Sequence, residues 1–151
     1  MIRDEIKDAL VTAMKAGEKD RVATIRLLQA AIKNRDIELR GKPAPADDDL
    51  LVTEVMQKMI KQRRESIEMY EKGNRPELAA AEAAEIAVIE GFLPAQLSET
   101  DLAAAIDAIV TETGAASIKD MGKVMAVLKD RHAGSVDMGK AGAAVRARLN
   151  G

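Results

Sequence analysis

Apolar residues along this chain recur at steps of three and four, the spacing that places side chains on one face of a helix. Ile2, Ile6, Leu10 and Met14 mark a first helix over about residues 2–16, ended by Gly17. Ile25, Leu28, Ile32 and Leu39 mark a second over about 19–39, after which Gly41, Pro43 and Pro45 open a loop. Three successive acids, Asp47, Asp48 and Asp49, provide a cap and a favourable charge for a third helix over about 48–72. Gly73-Asn74-Arg75-Pro76 then reads as a tight turn, with Pro76 in the first turn of a fourth helix that reaches about residue 92 and stops before Pro94. Two long helices joined by so short a turn form an antiparallel hairpin.

After the Pro94-Ala95-Gln96-Leu97 segment the helices become shorter. Ser98 with Asp101, and Ser117 with Asp120, have the spacing of a capping box, and Gly114 and Gly134 punctuate the remainder. Helices over about 99–113, 118–131 and 138–149 follow. Runs of alternating β-branched or aromatic residues are absent, so strands are not expected. The expected fold is all-α. A four-helix amino-terminal part built on a long hairpin (residues 1–95) precedes a small three-helix carboxyl-terminal domain (residues 96–151).

Composition sharpens this picture. Apolar residues make up 47% of the chain, yet its only aromatics are Tyr70 and Phe92, so Ala, Leu, Ile, Val and eight Met must form the core. Cysteine is absent, which removes disulfides, thiolate metal sites and thiol nucleophiles. The acidic start MIRDEIKDAL lacks the apolar centre of a signal peptide, and no apolar run reaches membrane-spanning length, so the expected address is the cytoplasm and no membrane partner is expected. A net charge of −2 conceals segregation: residues 76–120 hold nine acids and one base, whereas residues 121–151 hold six bases and two acids. Local fields of this kind steer partners more than the sum does.

Two groups of charges stand out. Arg63 falls within the apolar stripe of the third helix, and Glu82 and Glu85 fall within that of the fourth. An unpaired charge there costs several kcal/mol, so Arg63 is expected to meet Glu82 or Glu85 as an ion pair fixing hairpin register, in preference to a catalytic carboxylate pair. Arg26 and Lys33 share a face of the second helix with Gln29, and Lys61 and Arg64 stand on the third. They are candidates for a phosphate-binding surface, although on charge alone an ordinary solvated face is the better account of them.

The apparatus of catalysis is missing. His132 is the only histidine, the serines are Ser66, Ser98, Ser117 and Ser135, and no glycine-rich phosphate loop occurs. No catalytic residue, metal site or cofactor is expected, and the isolated chain is not expected to turn over a substrate.

The stretches RLLQAAIKNRDIELRGK (26–42), VMQKMIKQRRESIEMYEKGNRPELAAAEAAEIAVIEGFLPAQLS (55–98) and SIKDMGKVMAVLKDRHAGSVD (117–137) resemble the GatB/YqeY family, and its free-standing YqeY-like members in particular. The resemblance covers nearly the whole chain and implies the same four-plus-three helical plan. Related modules form the tail of the B subunit of the tRNA-dependent amidotransferase and are appended to some glutaminyl-tRNA synthetases. That tail helps hold folded tRNA, while glutaminase and ATP-dependent steps reside elsewhere. Here the family's carboxyl-terminal motif corresponds to Gly122, Lys123, Val124, Met125, Lys129, Gly134 and Asp137, with Ser135-Val136 replacing the usual basic-then-small pair. The motif implies that Gly122 permits a close helix contact, that Met125 and Leu128 fill the core, and that Asp137 caps the last helix.

The expected function is that of a tRNA-binding accessory protein, with Lys123, Lys129, Arg131, Lys140, Arg146 and Arg148 supplying the positive field and the acidic middle of the chain holding RNA at a distance. Scarce aromatics disfavour stacking on unpaired bases, leaving shape and phosphate recognition. Two other expectations stand beside it. One is a component of a carbon–nitrogen ligase that uses glutamine as amido donor, acting with an amidotransferase subunit. The other is an adaptor that docks an aminoacyl-tRNA synthetase.

Overall fold

A computed structural model describes residues 1–150. Seven α-helices account for most of them: α1 (Ile2–Ala16), α2 (Lys19–Glu38), α3 (Asp48–Lys72), α4 (Pro76–Glu90), α5 (Glu99–Thr113), α6 (Met121–His132) and α7 (Met138–Asn150). A single 3-10 turn over Ile118–Asp120 leads into α6, and no strand occurs among the described residues. The chain divides into two compact units, Met1–Leu93 and Pro94–Gly151.

Local chemistry explains most helix ends. Gly17 and Gly114 take the left-handed conformation after α1 and α5, which a residue without Cβ adopts at no steric cost. The Asp47 carboxylate accepts from the Leu50 N–H at 3.1 Å, and the Ser98 hydroxyl accepts from the Asp101 N–H at 3.1 Å. Ser117 and Asp120 form a reciprocal capping box, but the turn it starts is a 3-10 turn, so α6 begins three residues later than the pattern suggests. In the α3–α4 turn the left-handed position is Asn74, not Gly73, and the Arg75 N–H closes it on the Tyr70 carbonyl at 2.8 Å. Helix α4 ends at Glu90; Phe92 lies beyond it and is buried.

In the first unit, α3 and α4 form the long antiparallel hairpin, α2 packs on both, and α1 lies against α2 and α3. Ile6, Ile25, Leu28, Val52, Met56 and Ile89 are fully enclosed at its centre. The expected stripe of α1 needs a correction: Met14 is 53% exposed and Ala13 takes the buried place. A step of four overshoots the helical repeat by about 40°, so three such steps carry Met14 off the core face.

In the second unit, α5, α6 and α7 pack on one another around Ile106, Ile109, Val124, Leu128, Ala141 and Val145. The segment after Pro94 is clipped to this unit: the Leu97 N–H donates to the Ser135 carbonyl at 2.8 Å, and the Gln96 amide donates to the Gly134 carbonyl at 2.7 Å. Gly122 departs from expectation, since it is exposed and a methyl group added there meets nothing. The glycine that approaches another helix is Gly142, opposite the Met121 and Met125 methyls. Helix register decides this, because Val124 and Leu128 turn inward and leave position 122 outside.

Candidate nucleic-acid interface

Each unit handles its charges differently, and the candidate residues sort accordingly. In the first unit Arg63 is only 15% exposed, and its Nε donates to Glu85 at 2.8 Å, with Glu82 at 3.9 Å. Its Nη1 leans on the Met59 carbonyl at 3.4 Å. The guanidinium therefore bridges α3 and α4 within the hairpin.

Sequence reasoning missed a second hub. Arg3, at the start of α1, offers both terminal nitrogens to Asp36 at 2.8 Å each and its Nε to Asp48 at 2.8 Å. The neighbouring Ile2 N–H donates to Asp49 at 2.9 Å. One fork thus joins the start of α1, the end of α2 and the start of α3. Hydrogen bonding from Arg3 holds the Asp36 carboxyl below its ordinary range. The acids of the 47–49 run that do not cap α3 were legible as charge; their partner was not.

The other bases of the first unit do not form one surface. Lys33 lines a groove on the α1 side of α2, whereas Arg64 reaches Glu90 on α4 at 3.4 Å, and α1 and α4 do not touch. Lys61 projects from the side of α3 roughly opposite Val52. Arg26 is exposed on α2.

In the second unit, two of the six candidate bases are committed to α5. Arg131 donates to Glu112 at 2.5 Å and Arg148 to Asp107 at 2.6 Å, and each pair is about half exposed. The Arg131 hydrogen bond keeps the Glu112 carboxyl below its usual range. Asp120 is likewise depressed, chiefly by the Ala116 and Ser117 N–H groups and less by nearby Lys123. Asp137 caps α7 through the Gly139 and Lys140 N–H groups at 2.8 and 3.2 Å.

Lys123, Lys129, Lys140 and Arg146 remain exposed, with no acid within ion-pair distance among the described residues. Lys123 and Lys129 lie roughly 120° apart around α6, on either flank of the buried Val124–Leu128 edge. The positive field is therefore spread over two helices. Much of the acidic middle of the chain is already matched: Glu82, Glu85, Glu90, Asp107 and Glu112 all face arginines. Among the described residues no group of three or more His, Asp or Glu is placed to hold a metal ion.

A family model described as Yqey-like protein matches residues 3–149. Among curated proteins, the chain is 36% identical over 109 residues to Altered inheritance of mitochondria protein 41, mitochondrial, of Eremothecium gossypii, covering 71% of this chain and 58% of that protein. The protein of the same name in Lachancea thermotolerans is 36% identical over 110 residues, covering 71% and 57%. An uncharacterized protein of Schizosaccharomyces pombe is 33% identical over 94 residues, covering 62% and 72%. The chain thus spans little more than half the length of the first two relatives.

These relatives correct the cytoplasmic expectation, because two of them are named as mitochondrial proteins. The features that suggested the cytoplasm do not discriminate between compartments: Asp4 and Glu5 fill the first turn of a folded helix, and a cysteine-free chain suits any reducing environment. No described helix is long and apolar enough to cross a membrane.

Proposed function

Since the chain belongs to the Yqey-like protein family, we propose that it is a tRNA-binding accessory protein that contributes recognition, with any chemistry supplied by other subunits. The observation that carries this reading is the set of four exposed bases on α6 and α7 that make no ion pair among the described residues, although Lys123 lies near Asp120. Lys123, Lys129, Lys140 and Arg146 present charge that α5 leaves uncompensated, while Arg131 and Arg148 brace α6 and α7 against α5. Lysines on two neighbouring helices suit contact with a phosphate backbone and carry no information about base identity. Tyr70 and Phe92 both lie outside the second unit, so this surface has no ring on which an unpaired base could stack. Recognition by shape and charge of a folded RNA follows.

The test is filter binding of bulk tRNA at two salt concentrations. Lys123→Glu combined with Lys129→Glu is expected to weaken binding about ten-fold or more at low salt and to make its salt dependence shallower, with helicity unchanged. Arg131→Ala is expected to act less, since that side chain is already paired. Equal affinity of the double variant and the unaltered protein would exclude this surface. Conversion of glutamate carried on tRNA by the isolated chain, supplied with glutamine and ATP, would overturn the accessory reading.

A further inference from the structure

The surface between α1 and α2 is a groove of about 470 Å³ that neither helix fills. Ile6, Leu10 and Ile32 form its floor and Val11 one wall, with Val11 44% exposed. Lys7 rises from one bank and Lys33 from the other, and neither has an acid within ion-pair distance among the described residues. One end is closed by the Arg3–Asp36 pair. On α1 the lining positions follow i, i+3, i+4, i+7, i+8, and on α2 they follow i, i+3, i+4, i+7. Two neighbouring helices therefore present about two turns of parallel ridge and no filler between them.

We propose that this groove seats an amphipathic helix of a partner protein whose apolar edge is flanked by acidic residues. The apolar floor and ridge spacing fit a helix laid along the furrow. Charge complementarity fixes the kind of helix, because the rim offers two free ammonium groups. The only acid lining the groove, Asp36, is already held by the Arg3 fork. That same rim disfavours a second copy of this chain: a two-fold contact sets Lys7 and Lys33 against each other with no available acid between them. An RNA backbone is disfavoured too, because its phosphates gain nothing from a floor of Ile and Leu. The groove lies within the first unit and is independent of the bases proposed to meet tRNA.

The experiment uses the full chain and a fluorescent helical peptide of about 15 residues, with Leu at i, i+3, i+4 and i+7 and Glu on both flanks. A second peptide carries Lys in place of every Glu. Fluorescence anisotropy is expected to show binding of the Glu peptide and not of the Lys peptide. In the Lys7→Glu/Lys33→Glu variant, Glu-peptide affinity should fall about ten-fold or more and the Lys peptide should now bind. Indifference of Glu-peptide binding to the charge reversal overturns the proposal, as does equal binding of both peptides. So does a concentration-dependent dimer in sedimentation that Val11→Asp abolishes, which would assign the groove to a second copy. Displacement of the Glu peptide by bulk tRNA would hand the groove to RNA. Retention of tRNA binding by the Lys7→Glu/Lys33→Glu variant keeps this result separate from the reading of the α6–α7 bases.

Discussion

The two units are built from the same residue types, yet the arginines that join their helices differ in how far they are withdrawn from water. In the first unit Arg63 and Arg3 sit inside or at the edge of the packing: Arg3 joins three helices through several short bonds, and Arg63 joins two through one short bond to Glu85. In the second unit Arg131 and Arg148 are 47% and 48% exposed and lie along the margin of α5. An ion pair withdrawn from water acts on packing, since losing one member strands the other; an exposed pair is nearly exchangeable with solvent. Two of the first unit's interhelix pairs thus bear on packing, whereas the interhelix pairs of the second lie where water competes with them. Their cores differ in size: among the described residues thirteen buried hydrophobics cluster in the first unit and eight in the second. The smaller cluster is expected to make the second unit the weaker of the two.

The largest expected effect follows from that difference in core size. Leu128 is fully enclosed among α5, α6 and α7, and Leu128→Ala should cost about 3 kcal/mol. With few other contacts to compensate, the second unit should open first. Hydrogen exchange should then accelerate in α5–α7 while α3 and α4 keep their protection. If the α3–α4 amides accelerate equally, the chain behaves as one cooperative body and the contrast between units disappears.

A middle-sized effect separates the two uses of arginine directly. Arg63→Ala strands Glu85 within the hairpin and should lower stability by about 2 kcal/mol, while Arg131→Ala should cost clearly less, since its pair stands in water. Urea midpoints of the two variants measure this, and a double-mutant cycle of Arg63 with Glu85 should give a coupling of about 1 kcal/mol or more. Equal midpoints would mean that burial makes no difference to these pairs.

What could be read in advance divides along a physical line. Helix ends were legible because each carries its signal within four residues: Gly17, Asp47, Pro76, Ser98 and Asp137 act on their own neighbourhoods. Arg63 was legible because a charge on an apolar stripe demands a partner. Arg3 gave no such warning, since a base near a helix start looks solvated and its partners lie 33 and 45 residues away. Gly122 misled for the related reason that a glycine in a motif suggests contact, whereas register alone decides which way it points. The candidate bases were legible as charges. Which of them α5 acids would occupy depended on long-range packing that no local pattern encodes, as the Arg148–Asp107 pair shows at a separation of 41 residues.

The smallest effect concerns acid, and it tests whether the Arg3 fork belongs with the architectural pairs despite its partial exposure. Arg3 stays protonated throughout the accessible range, so Asp36 is the group that titrates. Its carboxyl is held below the unfolded value of about 3.9 by the hydrogen bonds from Arg3. A depressed carboxylate contributes stability that is present above that unfolded value and is lost as pH falls through the lower folded one. Stability of the first unit should therefore decline with acid below about pH 4, and Asp36→Asn should flatten that decline while lowering stability modestly at neutral pH. Urea unfolding at a series of pH values, followed through hydrogen exchange of α1 and α2, measures the slope. Glu112 is depressed in the same way by Arg131, but its pair stands at the surface of the second unit, so Glu112→Gln should leave the α1–α2 slope intact. A slope that responds to Glu112→Gln and not to Asp36→Asn would reverse the assignment of architectural charge between the two units.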